Sequence, residues 1–518
     1  MKILILYPNL PLMMSPSIST GIFTDICDKH NVKVDMFETT TYIETFNNAQ
    51  STKEKFGAGK SDTDYSEAFK NVYPTTNMIP DLIKKVKEYK PDMIFLSCVE
   101  DTFKDGIKML EAIKPFGIPH VMGGVFPINA PWIAIENKFV DIISIYEGEY
   151  VVKDMILSYK QNKPLTSVDG IWYKDNSGKV IQNNRQPLVN INEYIPNYRL
   201  FEKEPGRFYR PIGGKSRRTV PLETYRGCPY ACTYCNSPTT RQMDRNFLRR
   251  KTIDTVKKEL EFLREKHDPE FLFIIDDSFT ARPKQELYNL LELLKDYGVP
   301  WWCNTRLDDV TPEILKKMKE AHCDRIQFGL ESGNEDYRIN YLLRKVKQQT
   351  YIEKSKIIND SGIPYGLNVI IGMPDETRQM VMDTIELVRE IGGYDGIGVS
   401  MFVPYHGTGL RDIAVSKGYY PFDKLASDGG FQGNPVLDMP KPFLQKEECM
   451  DLAIKFKFFA FFDKRYWKEI EQSKDITKWE KLYNKEFFYS EFAVGGNERI
   501  KARRSSTWAC APDEYMAF

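Results

Sequence analysis

From residue 2 to about residue 160 the chain alternates short apolar runs with stretches of helical periodicity: KILILY, VKVDMF, DLIKKVKEY, DMIFLS, GIKMLEAIK, IPHVMGG and VDIISIY follow one another. This βα repetition predicts a parallel, doubly wound sheet. Such sheets bind ligands at the carboxyl ends of their strands, which singles out the loops that begin at Pro8, Ser97, Gly123 and Glu147. A long polar insertion over residues 39–80 breaks the rhythm and reads either as a gate over a site or as a surface excursion.

Residues 166–215 read as a connector, with one hairpin (GIWYKDNSGKVIQ, turning at Asn176, Ser177 and Gly178) and then an extended, proline-punctuated stretch. A second α/β unit follows. Strands are expected at TVPLETY, FLFIID, WWCNTR, RIQFGLE, YGLNVIIG and GVSMFVPY, separated by helices such as TVKKELEFLREKH and QELYNLLELLKDYG. Six units of this kind fit a parallel barrel, partial or complete. Beyond residue 412 the periodicity turns helical and aromatic. The expected division is therefore a sheet domain over 1–165, a connector over 166–215, a barrel over 216–412 and a mainly helical region over 413–518.

At 518 residues, with 42% hydrophobic and 28% charged positions, the chain has ample material for packed cores. Lys plus Arg and Asp plus Glu each number 72, so no global field draws it to nucleic acid or to an anionic membrane, and no nucleic-acid partner is expected. No run approaches the roughly 20 apolar residues of a membrane span. The opening MKILILYPN is interrupted at Tyr7 and Pro8 before it reaches signal-peptide length, which predicts a first strand in a cytoplasmic protein. The nine cysteines are odd in number, and three crowd into one segment while Cys27, Cys98, Cys303, Cys323, Cys449 and Cys510 are scattered. That is metal-site usage, not a disulfide framework.

The crowded segment, RGCPYACTYC, sets Cys228, Cys232 and Cys235 in a CxxxCxxC array directly after the first barrel strand. Structural zinc usually takes four protein ligands, so three thiolates imply an open coordination position, as in an iron–sulfur cube with one free iron; a zinc site completed by a distant His or Cys is the bland alternative. With Tyr234 before its last cysteine, the array resembles the signature of the radical S-adenosylmethionine (SAM) enzymes. Further motifs fit in order: FIIDDSF (Phe273 to Phe279), CNTR (Cys303 to Arg306), QFGLESGN (Gln327 to Asn334), IIGMPDET (Ile370 to Thr377) and VPYHGT (Val403 to Thr408). A parallel sheet ending in GIPHVMGGVFP and YEGEY ahead of such a barrel resembles the cobalamin-binding subfamily, and the resemblance covers roughly residues 1–410.

The resemblance implies a Rossmann-like cobalamin domain followed by a partial (β/α)6 radical SAM barrel. It implies a four-iron four-sulfur cluster on the three cysteines whose free iron chelates SAM, together with cobalamin. It also implies an external electron donor such as flavodoxin or ferredoxin and a small-molecule or peptide substrate. The leading expectation is methyl transfer to an unactivated carbon or a phosphinate phosphorus, with one SAM methylating cobalamin and another yielding a deoxyadenosyl radical. Ring contraction or oxidative cyclisation is the alternative within the class, and a non-catalytic iron–sulfur sensor the alternative outside it. A methylthiotransferase would need a further cysteine cluster near the N-terminus, where only Cys27 and Cys98 occur. The axial-histidine motif DxHxxG of other cobalamin domains is absent, since Asp28 and His30 are followed by Lys33 where the glycine belongs, so cobalamin is expected without a histidine ligand.

Particular residues carry these expectations beside plainer ones. Gly123 and Gly124 allow backbone to approach a large ring or a nucleotide tail, where a simple turn needs only one glycine. Ser97 to Asp101 fit either the corrin face or a loop cap, and Glu147, Gly148 and Glu149 fit either cofactor contact or ordinary helix capping. Asp276 and Asp277 need a ribose, a cation or an arginine as partner. Glu331 and Ser332 suit the SAM amino group or ribose, Tyr234 joins them by resemblance, and Gly372 and Pro374 shape the adenine pocket. Arg306 fits a substrate anion clamp or a salt bridge to Asp276 or Asp308. The stripe from Phe456 to Phe462 reads as core, Cys303 and Cys323 as buried thiols, and Cys510 is left open.

Overall fold

The computed structural model describes residues 1–10, 15–40, 42, 77–203, 205–212, 215–394, 396–428 and 432–486. Residues 43–76 of the polar insertion, with the gate expected there, and Cys510 lie outside the described residues.

Strand β1 (Lys2–Tyr7) pairs in parallel with β2 (Lys33–Glu38) and β3 (Met93–Ser97), and β4 (His120–Gly123) and β5 (Ile142–Ser144) continue the sheet, in the order β2-β1-β3-β4-β5. The run KILILY has no polar alternation because both of its faces are covered. Ile3 and Ile5 pack with Ile22, Ile26, Val152 and Ile156 of helices Ile18–Lys29 and Gly148–Lys160. Leu4 and Leu6 pack on the other side with Leu82, Val86 and Leu110 of helices Met78–Tyr89 and Phe103–Ile113. This is the doubly wound arrangement the alternation predicts.

The hairpin expected at residues 170–182 forms β6 (Ile171–Lys174) and β7 (Val180–Gln182), with Gly178 at φ +83° in the turn. It is not a free connector. β6 pairs antiparallel with β5, so the first sheet has seven strands and extends to Gln182, past the expected boundary at 165.

After β8 (Tyr209–Ile212) come β9 (Lys215–Leu222), the short antiparallel pair β10 (Tyr225–Arg226) and β11 (Arg249–Arg250), then β12 (Phe271–Ile274), β13 (Trp301–Thr305), β14 (Cys323–Glu331), β15 (Tyr365–Ile371) and β16 (Gly396–Met401). Strands β9 and β12 to β16 are parallel neighbours in sequence order, β8 adds antiparallel to the β9 edge, and β16 and β8 stand at opposite ends of the sheet. The barrel is therefore partial. Three of its helices start at threonines that cap them as hydrogen-bond acceptors, Thr252 for Ile253–His267, Thr311 for Pro312–Glu320 and Thr377 for Arg378–Ile391.

The second half of helix Lys446–Phe461 is enclosed on all sides: Phe456, Phe458 and Phe459, with Phe462 just beyond, join the barrel core. Buried Arg389 donates to the carbonyls of Phe459 and Phe462 at the helix end, supplying partners the helix itself lacks. No helix among the described residues is long and apolar enough to cross a membrane.

Candidate functional site

The carboxyl ends of the first sheet face the cysteine loop of the barrel across a cavity of about 810 Å³. The four loops singled out from the sequence all reach it, through Pro8, Ser97, Gly123 and Glu147. On the barrel side it is lined by Arg226, Gly227, Asn236, Ser237, Asp277 and His406, among others.

On the sheet side, Gly123 and Gly124 are glycines for different reasons. A Cβ on Gly124 would stand 2.3 Å from the Cys98 carbonyl oxygen, and its φ is +106°. A Cβ on Gly123 would meet only Ser144 Cβ at 3.7 Å and would otherwise enter the cavity. Beside them Val99 and Val125 line the cavity while 42% and 45% exposed, and the buried hydroxyls of Ser144 and Tyr146 have no hydrogen-bond partner. A pocket with uncovered valines and orphaned hydroxyls suits a large ligand that is apolar across its face and polar at its rim. The glycine cradle therefore fits cobalamin. Gly148 has a packing reason as well, since a Cβ there would meet the Phe23 ring at 3.0 Å.

Glu147 differs from the expectation. It makes no side-chain cap and instead accepts from Arg226 at 2.9 Å, Arg249 at 2.8 Å and the Val189 N–H at 2.9 Å. Arg226 also holds Glu149 at 2.7 Å and both oxygens of Glu223 at 2.9 Å. Burial alone would raise the Glu147 carboxyl, but Arg249 and Arg226 hold it below its usual range. Glu147 is thus spoken for: it ties the first sheet to the barrel.

The cysteine loop follows β10 and is pinned from several directions. The Thr233 N–H donates to Leu342 O, the Leu410 N–H to Thr233 O, Arg241 to Cys228 O, and the Ser237 N–H to Cys235 Sγ. Burial, then Asp277 and the neighbouring thiols, push the Cys228 thiol up to about 12, and burial raises Cys235. Three soft donors on one short loop, with the Cys228 and Cys235 thiolates disfavoured by burial, suit cationic iron among them, which fits the cluster. Among the described residues no three His, Cys, Asp or Glu side chains close on a single metal-ion position. In a cube each thiolate meets a different iron, so the thiols need not converge on one point.

The paired aspartates divide. Asp276 is sealed, accepting from the N–H groups of Thr224 and Tyr225, the Thr224 hydroxyl and Arg282. Its partner is Arg282, and Arg306 pairs with Asp308 instead, at 3.0 and 2.8 Å. Protein donors hold Asp276 as a strut of the barrel. Asp277 opens to the cavity and takes one protein donor, Ser237 Oγ, at 3.2 Å.

Glu331 ends β14 at φ +65°, buried, accepting from the Tyr234 hydroxyl at 3.3 Å while Arg344 donates to the same hydroxyl at 3.1 Å. Burial raises the Glu331 carboxyl, and Arg344 and Tyr234 only partly oppose it. Tyr234 and Glu331 are thus brought together below the cysteine loop. Ser332 is fully enclosed, with its hydroxyl unpartnered and its carbonyl accepting from Arg338. Gly372 is fitted against the C-terminal helix, where a Cβ would meet Cys449 Sγ at 2.9 Å, and Pro374 O accepts from Tyr337. Packing accounts for both of these positions.

The sequence did not single out Arg226, Arg344 or His406, and it placed Glu100 within the Ser97 to Asp101 segment without its His406 partner. Arg226 stands beside the cysteine array, and His406 lies within VPYHGT, but nothing in the string pairs either with residues 79 to 306 positions away.

Residues 222–388 match the radical SAM superfamily model. An uncharacterized methyltransferase of Pyrococcus horikoshii is 26% identical over 345 residues, 65% of this chain and 72% of that protein. The anaerobic magnesium-protoporphyrin IX monomethyl ester cyclase of Rubrivivax gelatinosus is 24% identical over 440 residues, 81% of this chain and 75% of that one. Among solved structures, the cobalamin-dependent SAM radical enzyme OxsB with aqua-cobalamin and SAM bound superposes with a TM-score of 0.64 at 17% identity, covering 93% of this chain and 70% of that one. Residues 222–388 are thus a radical SAM domain, and with its partial barrel and N-terminal sheet the chain shares the fold of the solved cobalamin-dependent SAM radical enzyme OxsB.

Proposed function

We propose that the chain is a cobalamin-dependent radical SAM methyltransferase acting on an unactivated carbon or a phosphinate phosphorus. The cavity carries this reading: across about 810 Å³ a glycine-cradled sheet edge faces Gly227, Asn236 and Ser237, which flank the three-cysteine loop, an arrangement that would let cofactors on the two domains meet. Cluster and SAM together supply a carbon radical that abstracts hydrogen, and cobalamin supplies a methyl group that a carbon radical can accept. Cys228, Cys232 and Cys235 hold the cluster. Gly123 and Gly124 admit the macrocycle, Ser97, Ser144 and Tyr146 offer hydroxyls near it, and Val99 and Val125 cover its apolar face. Glu331, Tyr234 and Asp277 present acceptors to SAM and substrate, while Arg226 and Arg249 lock the domains so that the cavity keeps its shape. An external one-electron donor such as flavodoxin or ferredoxin feeds the cluster.

The test uses protein reconstituted anaerobically with iron, sulfide and hydroxocobalamin, then reduced and given methyl-deuterated SAM. Methyl transfer predicts labelled methylcobalamin and S-adenosylhomocysteine, with deoxyadenosine formed separately. Replacing the three cysteines with Ala should abolish iron binding and deoxyadenosine. Deoxyadenosine without any methyl uptake by cobalamin would replace this reading with ring contraction or cyclisation, the kind of activity named for the Rubrivivax relative.

A further inference from the structure

We infer that His406 is a cofactor-holding residue, whose Nε2 accepts a hydrogen bond from a carboxamide on the corrin rim; this rests on the functional reading above. His406 comes from VPYHGT, on the loop after β16, and it lines the cavity. Glu100 holds it directly, and Asp101, Thr239 and Asn129 hold its chain neighbours. The His406 N–H donates to Glu100 Oε2 at 2.9 Å, and Nδ1 meets Glu100 Oε1 at 2.8 Å. The Tyr405 hydroxyl donates to Asp101 at 2.8 Å, and Thr239 donates to Gly407 O at 2.7 Å. Gly407, at φ +81°, sits so close to Asn129 that a Cβ would fall 2.2 Å from Asn129 Oδ1. Residues at the rim of a cavity are seldom held this tightly without a use for the geometry.

The hydrogen-bond arithmetic then assigns the tautomer. Glu100 also accepts the Ala426 N–H at 2.8 Å, and a carboxylate can only accept, so in the neutral imidazole the proton lies on Nδ1 and the lone pair on Nε2. Nε2 has no partner among the described residues, and it is not among the polar atoms sealed away from solvent. A lone acceptor at the edge of a cavity walled by Val99, Val125 and Phe126 suits a ligand with an apolar face and N–H donors around its periphery. The corrin ring, bordered by primary carboxamides, has that chemistry.

A clasp between the domains would explain the Glu100 contact but not the open nitrogen, and substitutions separate the two roles. His406→Asn keeps a donor where Nδ1 stands and removes the acceptor at Nε2. Hydroxocobalamin should then bind about fivefold to tenfold more weakly by spectral titration of the cluster-loaded protein, with the melting temperature of the cobalamin-free protein unchanged. Cobinamide, which keeps the rim carboxamides and lacks the nucleotide tail, should show the same loss. If His406→Asn binds as wild type does while His406→Ala weakens binding, the clasp explains everything and the inference falls. It also falls if the loss vanishes with cobinamide, or if Co(II) in the wild type carries nitrogen hyperfine splitting from His406. Failure of the wild type itself to take up hydroxocobalamin would overturn the functional reading and this one together.

Discussion

On the sheet side of the cavity the strand ends present two glycines, two uncovered valines and the unpartnered hydroxyls of Ser144 and Tyr146, while the acidic side chains there, Glu100, Asp101, Glu147 and Glu149, are bonded across to the barrel. On the barrel side the charges are abundant and mostly answered by protein. Asp276 is closed by four donors, Arg226 is shared among three glutamates, and Arg306 is paired with Asp308. One wall is defined by what it leaves empty and the other by how completely it is braced. A flat, mostly apolar macrocycle needs room, whereas a reactive centre beside a cluster needs fixed geometry.

The strongest way to break the contrast is to unbrace the barrel wall. Arg226→Met would leave Glu147, Glu149 and Glu223 facing one another in a partly buried space, at a cost of about 3–5 kcal/mol in urea unfolding at neutral pH. The pH dependence has a definite sign. Burial raises the carboxyls of Glu147 and Glu223, but Arg226, with Arg249 and Lys251, outweighs it and holds both below their unfolded values. Their stabilisation is therefore complete above the ordinary carboxylate range and is lost as pH falls through the lowered folded values. In Arg226→Met much of the opposing charge is gone, the folded values rise, and the deficit should shrink on acidification as the carboxyls protonate. A deficit that stays constant from pH 7 to pH 5 would show that Arg226 acts through packing alone.

The sheet wall sharpens the comparison through its glycine pair. Gly124→Ala puts a Cβ into the Cys98 carbonyl at a backbone angle side chains rarely adopt, and should cost about 3 kcal/mol. Gly123→Leu has no such conflict and should leave the melting temperature nearly unchanged while displacing hydroxocobalamin from the cavity. Equal loss of stability in both variants would mean that the open space beside Gly123 is needed for folding rather than for a ligand.

The same contrast explains what the sequence discloses. Strands of uniform apolar character, such as KILILY, announce burial on two faces, and the barrel strands lie close to where their motifs stand because each motif joins an apolar run to a polar loop. Vacancy is equally local: a doubled glycine at a strand end records its own freedom, and Gly123 and Gly124 do line the cavity. Partnership is not local. Whether Asp276 faces a ligand or Arg282 depends on how the loops at the barrel strand ends fold over it, and whether Glu147 caps a helix or binds Arg226 and Arg249 depends on where the barrel docks against the sheet. The hairpin at β6 and β7 shows the same limit, because its two strands and turn are written in sequence while its pairing with β5 is not.

The adjacent aspartates test the braced wall residue by residue. Asp276→Asn loses a charge-assisted contact with Arg282 and turns an amide toward donors, which should cost about 2 kcal/mol of stability. Asp277→Asn loses only the acceptor charge facing Ser237 and the cavity, so stability should stay within about 0.5 kcal/mol of wild type while deoxyadenosine formation changes. The reverse pattern would exchange the roles assigned to the two.

The smallest effect belongs to Glu331, which stands between the two kinds of wall. It is buried like the braced carboxylates, yet its protein contacts are sparse, with one long hydrogen bond from Tyr234 and the nearby charge of Arg344. Burial raises its carboxyl, so the ionised form is held less firmly than that of Glu147, and a cationic ligand group would supply what the protein leaves out. The SAM amino group is such a cation when it is not bound to iron, and the ribose hydroxyls are donors in either case. Glu331→Gln keeps the shape and removes the charge. Loss of one charge-assisted hydrogen bond, about 1.5 kcal/mol, should raise the SAM dissociation constant roughly tenfold in equilibrium dialysis of the cluster-loaded protein. Its melting temperature should move little, because Tyr234 can still donate to the amide oxygen. Unchanged SAM affinity with a lowered melting temperature would place Glu331 with Asp276 among the braces of the barrel.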